Sequence, residues 1–356
     1  MSNDDSSSTT ISSFPPSNPT TTQQRQCSQY DSVLQSLTQI LGSPLPDSIT
    51  LSDNPPFSLL HNHHITTQIT NLLLSPSSGA GDDSLCRWLY DTFQSTCPDL
   101  QLLVLYFLPT LAGLYLSRSI SRQPLAGFEA VLLALYAHET TSRGNQPLTF
   151  TLPNLTYPSI YHESKSPVKN RPTEDPEVVV FSQALEPHGT VRSTKRARIV
   201  GVALELYFSK IALMPLSSKL EFCRFCIAWS GFKEKDIEKE EEEKEEMGRR
   251  VPLPWELLQP ILRILGHCLM GGGEHERWKE MKVMANDAVN CIYERALHDM
   301  NPQAILASRS LLSLGKMEDE IVWETSSCLP TSTTTSYNET VAQVQDVEKN
   351  QPVNQD

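Results

Sequence analysis

Apolar residues recur at helical spacing through the middle of the chain, and the breaks between runs are short. Tyr30–Leu41 predicts a first helix, stopped by Gly42-Ser43-Pro44. Pro56–Leu74 predicts a second, ending in the Ser/Gly/Pro loop at 75–81. Asp82 or Asp83 can cap the next helix, whose Leu85, Trp88, Leu89 and Phe93 share one face. The densest apolar runs are Leu102–Leu116 and Leu125–Ala137. A membrane hairpin would need about 20 residues per span, and these runs are shorter and interrupted by Pro109 and Glu129. They predict a buried helical pair.

Thr194–Met214 predicts a central helix with only a thin polar line through Arg198, Glu205 and Ser209. Pro215 ends it, and a serine cap opens Ser217–Trp229. After Gly248 and Pro252 come Trp255–Met270, then, past Gly271-Gly272-Gly273, the pair Glu274–Asp299 and Pro302–Leu314. Val178–Leu185 is a short apolar piece. Glu320–Thr325 alternates like a strand, with Leu148–Leu152 as its expected partner. No fixed-period repeat runs through the chain. The class is therefore all-α, an irregular antiparallel bundle or clamp with at most a tiny β element.

One segment breaks this pattern. Phe150–Glu163 (FTLPNLTYPSIYHE) is held extended by Pro153 and Pro158, because proline fixes φ and drives the preceding residue out of the helical region. Its apolar and aromatic side chains, Tyr157 and Tyr161 among them, need something to bury against. It predicts a strap laid across other elements.

Composition sets the limits of the domain. Residues 1–27 and 326–356 are rich in Ser, Thr, Asn, Gln and Pro and predict disordered tails, leaving 28–325 as one helical domain. The net charge of −13 argues against nucleic acid as a partner. Nine acids against four lysines in Lys233–Glu246 carry much of it, in a Glu/Lys insertion at 233–247 that predicts a solvated helical extension. Eight scattered cysteines and a polar N-terminus without a signal pattern point to free thiols in the cytosol.

Candidate chemistry is sparse. Three His-Glu pairs (138–139, 162–163, 275–276) lack the second histidine of a helical zinc motif. His61, His63 and His64 read as a helix turn, since a metal site needs three or four converging ligands. Cys223 and Cys226 have redox spacing but lie inside an amphipathic helix, where they read as core. Gly271–Gly273 lacks the Lys-Ser/Thr of a phosphate loop, and no kinase or hydrolase signature is present. Arg192, Lys195, Arg196 and Arg198 form the one basic patch, available to anionic lipid headgroups. No catalytic, cofactor or metal residue is assigned.

The strap residues Phe150, Pro153, Tyr157, Pro158, Tyr161, His162 and Glu163 resemble the signature strap of the hyccin family. Collinear similarity continues in Tyr106–Pro109, Glu129–Tyr136, Gln183–Gly189, Met214-Pro215, Arg250–Pro252 and Ala288–Ala296, covering about 85–325. The chain is identified as a plant-type member of that family; residues 1–80 match poorly and Lys233–Glu246 stands as an insertion. The resemblance implies a non-catalytic scaffold of the plasma-membrane phosphatidylinositol 4-kinase alpha complex. It implies docking on a tetratricopeptide-repeat subunit, support of the kinase, and an indirect link to a lipidated membrane anchor subunit. The protein would then be cytosolic and peripheral at the plasma membrane. The alternative is a lipid-binding adaptor acting through the 192–198 patch.

Overall fold

The computed structural model describes residues 19–144, 146–152, 177–187, 191–192, 194–231, 254–271 and 276–327. Thirteen α-helices and a two-stranded antiparallel sheet make up this part. The N-terminal helices are α1 (Pro19–Leu41), α2 (Asp47–Thr50), α3 (Pro55–His61), α4 (His63–Leu74) and α5 (Ser84–Gln94). They are followed by α6 (Pro98–Tyr106), α7 (Leu108–Ser121) and α8 (Ala126–Arg143). Strands β1 (Leu148–Leu152) and β2 (Glu177–Ser182) precede α9 (Arg196–Ser209), α10 (Leu216–Ser230), α11 (Trp255–Met270), α12 (Glu276–His298) and α13 (Pro302–Ser327).

Local chemistry accounts for the boundaries. The helix expected over Pro56–Leu74 is two, because Asn62 interrupts it and its side chain accepts the Ile65 amide to start α4. Asn54 caps α3 in the same way through Phe57 N. Asp83, one of the two predicted caps, accepts Leu85 N at 2.8 Å and, with its other oxygen, Gly79 N at 2.6 Å, so it joins loop and helix. The 102–116 run is likewise split between α6 and α7, bent by 48° at Phe107. Pro109 sits in the first turn of α7, where its missing N–H costs nothing. Helix α1 begins at Pro19, inside the tail expected to be disordered, and α13 runs on to Ser327.

The break between α6 and α7 explains a second departure. Ser217 does not cap α10; Pro215 occupies the capping position and no side chain caps the helix. Instead Ser218, fully buried, donates to the Tyr106 carbonyl at 2.9 Å and lies 3.0 Å from the Tyr207 hydroxyl, while Tyr106 OH donates to Ser217. Ser218 thus satisfies the Tyr106 carbonyl at the helix break, which burial would otherwise make costly to leave unpaired.

Packing runs in series. Helix α5 contacts α1, α6 and α8; α9 lies between α8 and α11; α10 joins α7 to α12; and α12 pairs with α13. Central α9 buries Ile199–Leu204 together with Leu206 and Tyr207, as its composition predicts. It is shorter than expected, ending at Ser209 before a 3₁₀ turn at Ile211–Leu213. Close approach to α11 depends on Gly201, since a Cβ there would stand 2.5 Å from the Glu256 carbonyl oxygen. Cys223 and Cys226 are buried in the core; a hydrogen bond with Cys268, then burial, pushes the Cys223 thiol well above the usual range, and burial does the same for Cys226.

The expected strand at Glu320–Thr325 lies within α13. Extending a helix already formed fixes one residue per added hydrogen bond, whereas a lone strand needs a distant partner. The partner of β1 is instead β2, whose Val178-Val179-Val180 run favours extended backbone.

Candidate functional site

Phe150, the first residue of the expected strap, lies in β1 of the two-stranded ribbon. In the register of that ribbon Phe150 faces Val179 and Thr149 faces Val180, and the pairing shifts between Leu148 and Thr149. Two isolated strands are marginal in water, so the ribbon depends on what anchors it. The anchor is a set of side chains from α8, α9 and α11 gathered at the end of β2.

Arg143, the last residue of α8, donates to Glu139 at 2.6 Å, to Ser182 Oγ of β2 at 2.9 Å and to Glu205 of α9 at 2.8 Å. Its side chain is only 5 % exposed. Arg263 of α11 reaches the other oxygen of Glu205 at 3.6 Å and lies over the Phe208 ring. Burial lowers Arg263 to about 10, opposed by the attraction of Glu205. Beyond β2 the chain stays fixed: the Tyr136 hydroxyl accepts Glu186 N at 3.0 Å, Arg198 donates to the carbonyls of Gln183 and Ala184, and Leu185 is buried. One end of the ribbon is thus fastened to the helical body.

The outer part of the ribbon is open. Phe150 is 42 % exposed and Val180 54 %, on opposite faces of a two-stranded sheet. Phe150 was expected to bury as part of a strap; in the structure it is a half-exposed ribbon residue, and among the described residues no second layer covers the two strands. The remaining signature residues Pro153, Tyr157, Pro158, Tyr161, His162 and Glu163 lie outside the described residues, as does the Lys233–Glu246 run.

The basic patch is largely committed within the fold. Lys195 pairs with Glu186, Arg198 holds the chain after β2, and the Arg196 guanidinium lies 6.0 Å from the centre of the Tyr115 ring. Arg192 is exposed. The histidines diverge: His61 bonds the Phe57 carbonyl, His63 Thr67, and His64 Gln68. Among the described residues no three His, Cys, Asp or Glu side chains gather as metal ligands do. No single described helix is long and apolar enough to cross a membrane; only the bent α6–α7 pair has the length and composition, and most of its apolar side chains are buried.

The model of the hyccin family matches residues 50–353. The chain belongs to the hyccin family. The match begins ahead of the motifs that suggested it, so α3 and α4, in a region that resembles the family poorly by eye, are part of the hyccin domain. It also runs through the 233–247 insertion. Hyccins are a non-catalytic adaptor family.

The anchoring cluster escaped sequence reasoning. Glu205 was visible as part of a polar line, but its partners lie 62 residues before it, at Arg143, and on α11 at Arg263. Glu205 and Arg263 each stand inside an apolar run, whereas Arg143 ends a polar stretch and gave no such signal.

Proposed function

We propose that this hyccin is a scaffold subunit of a phosphatidylinositol 4-kinase alpha complex. It docks on a tetratricopeptide-repeat subunit, stabilises the kinase and supports its delivery to a lipidated plasma-membrane anchor. The chain works in the cytosol and at the cytoplasmic face of the plasma membrane, and the kinase makes the phosphatidylinositol 4-phosphate.

The match of the hyccin model to most of the chain carries this reading. The anchored ribbon agrees with it: a rigid base presenting half-exposed Phe150 and Val180 suits binding better than chemistry. The alternative, a lipid adaptor working through Arg192, Lys195, Arg196 and Arg198, has less support. Three of those four side chains already have intramolecular roles.

Removal of the gene product tests the reading. Abundance of the repeat subunit and of plasma-membrane phosphatidylinositol 4-phosphate should both fall, and both should return with the full chain. Unchanged levels of the two would sink the scaffold assignment.

A further inference from the structure

The turn between α4 and α5 is built around a buried cation. Arg118 of α7, 3 % exposed, donates to the Ser75 carbonyl at 2.7 Å, to Ser78 Oγ at 3.0 Å, to the Ser78 carbonyl, and at longer range to the Pro124 carbonyl. Its guanidinium lies 5.0 Å from the centre of the Phe128 ring. Among the described residues all these acceptors are neutral, so the cation is held without a carboxylate bonded to it. A buried charge in that state favours an anion brought beside it.

The inner side of the turn is tightly fixed. Asp83 accepts the Gly79 and Leu85 amides, and the Gly79 carbonyl accepts Gly127 N at 2.9 Å. The outer side is open. Ser75 is partly exposed, Pro76 and Ser77 are exposed, and the Ser75 and Ser77 hydroxyls stand 3.2 Å apart. Ser75 is extended, at φ −61° and ψ 145°, as the proline after it requires. An accessible hydroxyl on extended backbone followed by proline is the substrate shape of a proline-directed protein kinase. Of the other two Ser-Pro steps, Ser43-Pro44 has no arginine bonded to its turn among the described residues, and Ser166-Pro167 lies outside them.

We propose that Ser75 is a phosphorylation site for a proline-directed protein kinase, with Arg118 as the seat of the phosphate. Ser75 Oγ bonds to the γ-phosphorus of ATP as the bond from that phosphorus to its bridging oxygen breaks. ADP leaves, and the hydroxyl proton passes through the kinase to solvent. The phosphate then stands on the residue whose carbonyl already meets Arg118. Ser75 also caps the C-terminus of α4, where about half a negative charge opposes an anion. The full charge of the guanidinium outweighs that, and the Asp83 carboxylate is already offset by the amides it accepts. Phosphate therefore fastens the turn. This site does not rest on the scaffold reading.

The test incubates the folded full chain with a purified proline-directed kinase and ATP. Tandem mass spectrometry should place a phosphate on Ser75, and P76A should lose it while S77A keeps it. In the phosphorylated chain, phosphorus NMR should show the second ionisation of this phosphate below its ordinary value of about 6, because the guanidinium favours the dianion. The melting temperature should rise by about 2 °C or more. Transfer to a peptide of residues 70–80 but not to Ser75 of the folded chain would overturn the proposal, by showing that the turn is closed to a kinase. A phosphate on Ser75 that titrates at about 6 or above, or that lowers the melting temperature, would overturn Arg118 as its seat.

Discussion

Arg143 and Glu205 meet at 2.8 Å with side chains 5 % and 9 % exposed, tying the end of α8 to the middle of α9. Through Ser182 the same guanidinium holds β2. One arginine therefore couples the helical core to the ribbon that carries Phe150. Removing it leaves Glu205 buried with only the longer Arg263 contact. R143M should cost about 3 kcal/mol or more, the scale for breaking a buried pair from one side. Thermal unfolding checks this, and a melting temperature equal to the natural chain's would show that the cluster holds nothing together.

Close packing of α9 on α11 predicts a sharp difference between two glycines. G201A places a methyl against the Glu256 backbone and should destabilise by about 1–3 kcal/mol, the usual cost of overpacking. G81A meets only the Ala126 methyl at 4.0 Å and should be neutral or mildly stabilising. Chemical denaturation of the two variants side by side tests the pair; equal effects would mean α9 and α11 are not that close.

Acid should weaken the C-terminal helices through His267. Burial, and secondarily the positive charge of Lys219, hold its pKa below the ordinary histidine value. With the folded pKa depressed, the unfolded chain binds the proton first. Its contribution is therefore complete above the unfolded pKa and is lost as pH falls from about 6.5 through the folded value. Melting temperature measured from neutral to mildly acidic pH should fall less steeply in H267Q than in the natural chain. Parallel pH curves would remove His267 from the account.

The ribbon residues should matter more for association than for folding. Both Phe150 and Val180 are substantially exposed. The double variant F150A/V180S should change stability by less than about 1 kcal/mol, as exposed substitutions do. It should still weaken capture of the repeat subunit. A folded variant with undiminished capture would move the interface elsewhere.

Much of this architecture was legible in the sequence, and the parts that were not share a cause. Periodicity located the α5, α8 and α11 runs because each hides a continuous apolar face, and Asp83 marked its cap. Periodicity missed Asn62 and Phe107, where a helix changes direction without losing its apolar pattern. It misread Glu320–Thr325 because six alternating residues fit a strand only if a partner exists, and β2 had already supplied one to β1. The strap expected at Phe150–Glu163 lies outside the described residues beyond Leu152, and the cluster that fastens the neighbouring ribbon was invisible in the sequence: Arg143, Ser182, Glu205 and Arg263 come together only by tertiary folding.

Affinity purification of the full chain at native expression, with quantification of co-purifying proteins, tests the scaffold assignment most directly. The account predicts a tetratricopeptide-repeat protein and a phosphatidylinositol 4-kinase in stoichiometric amounts, resistant to washing. Recovery of the chain alone as a stable monomer, with neither partner enriched, would contradict it.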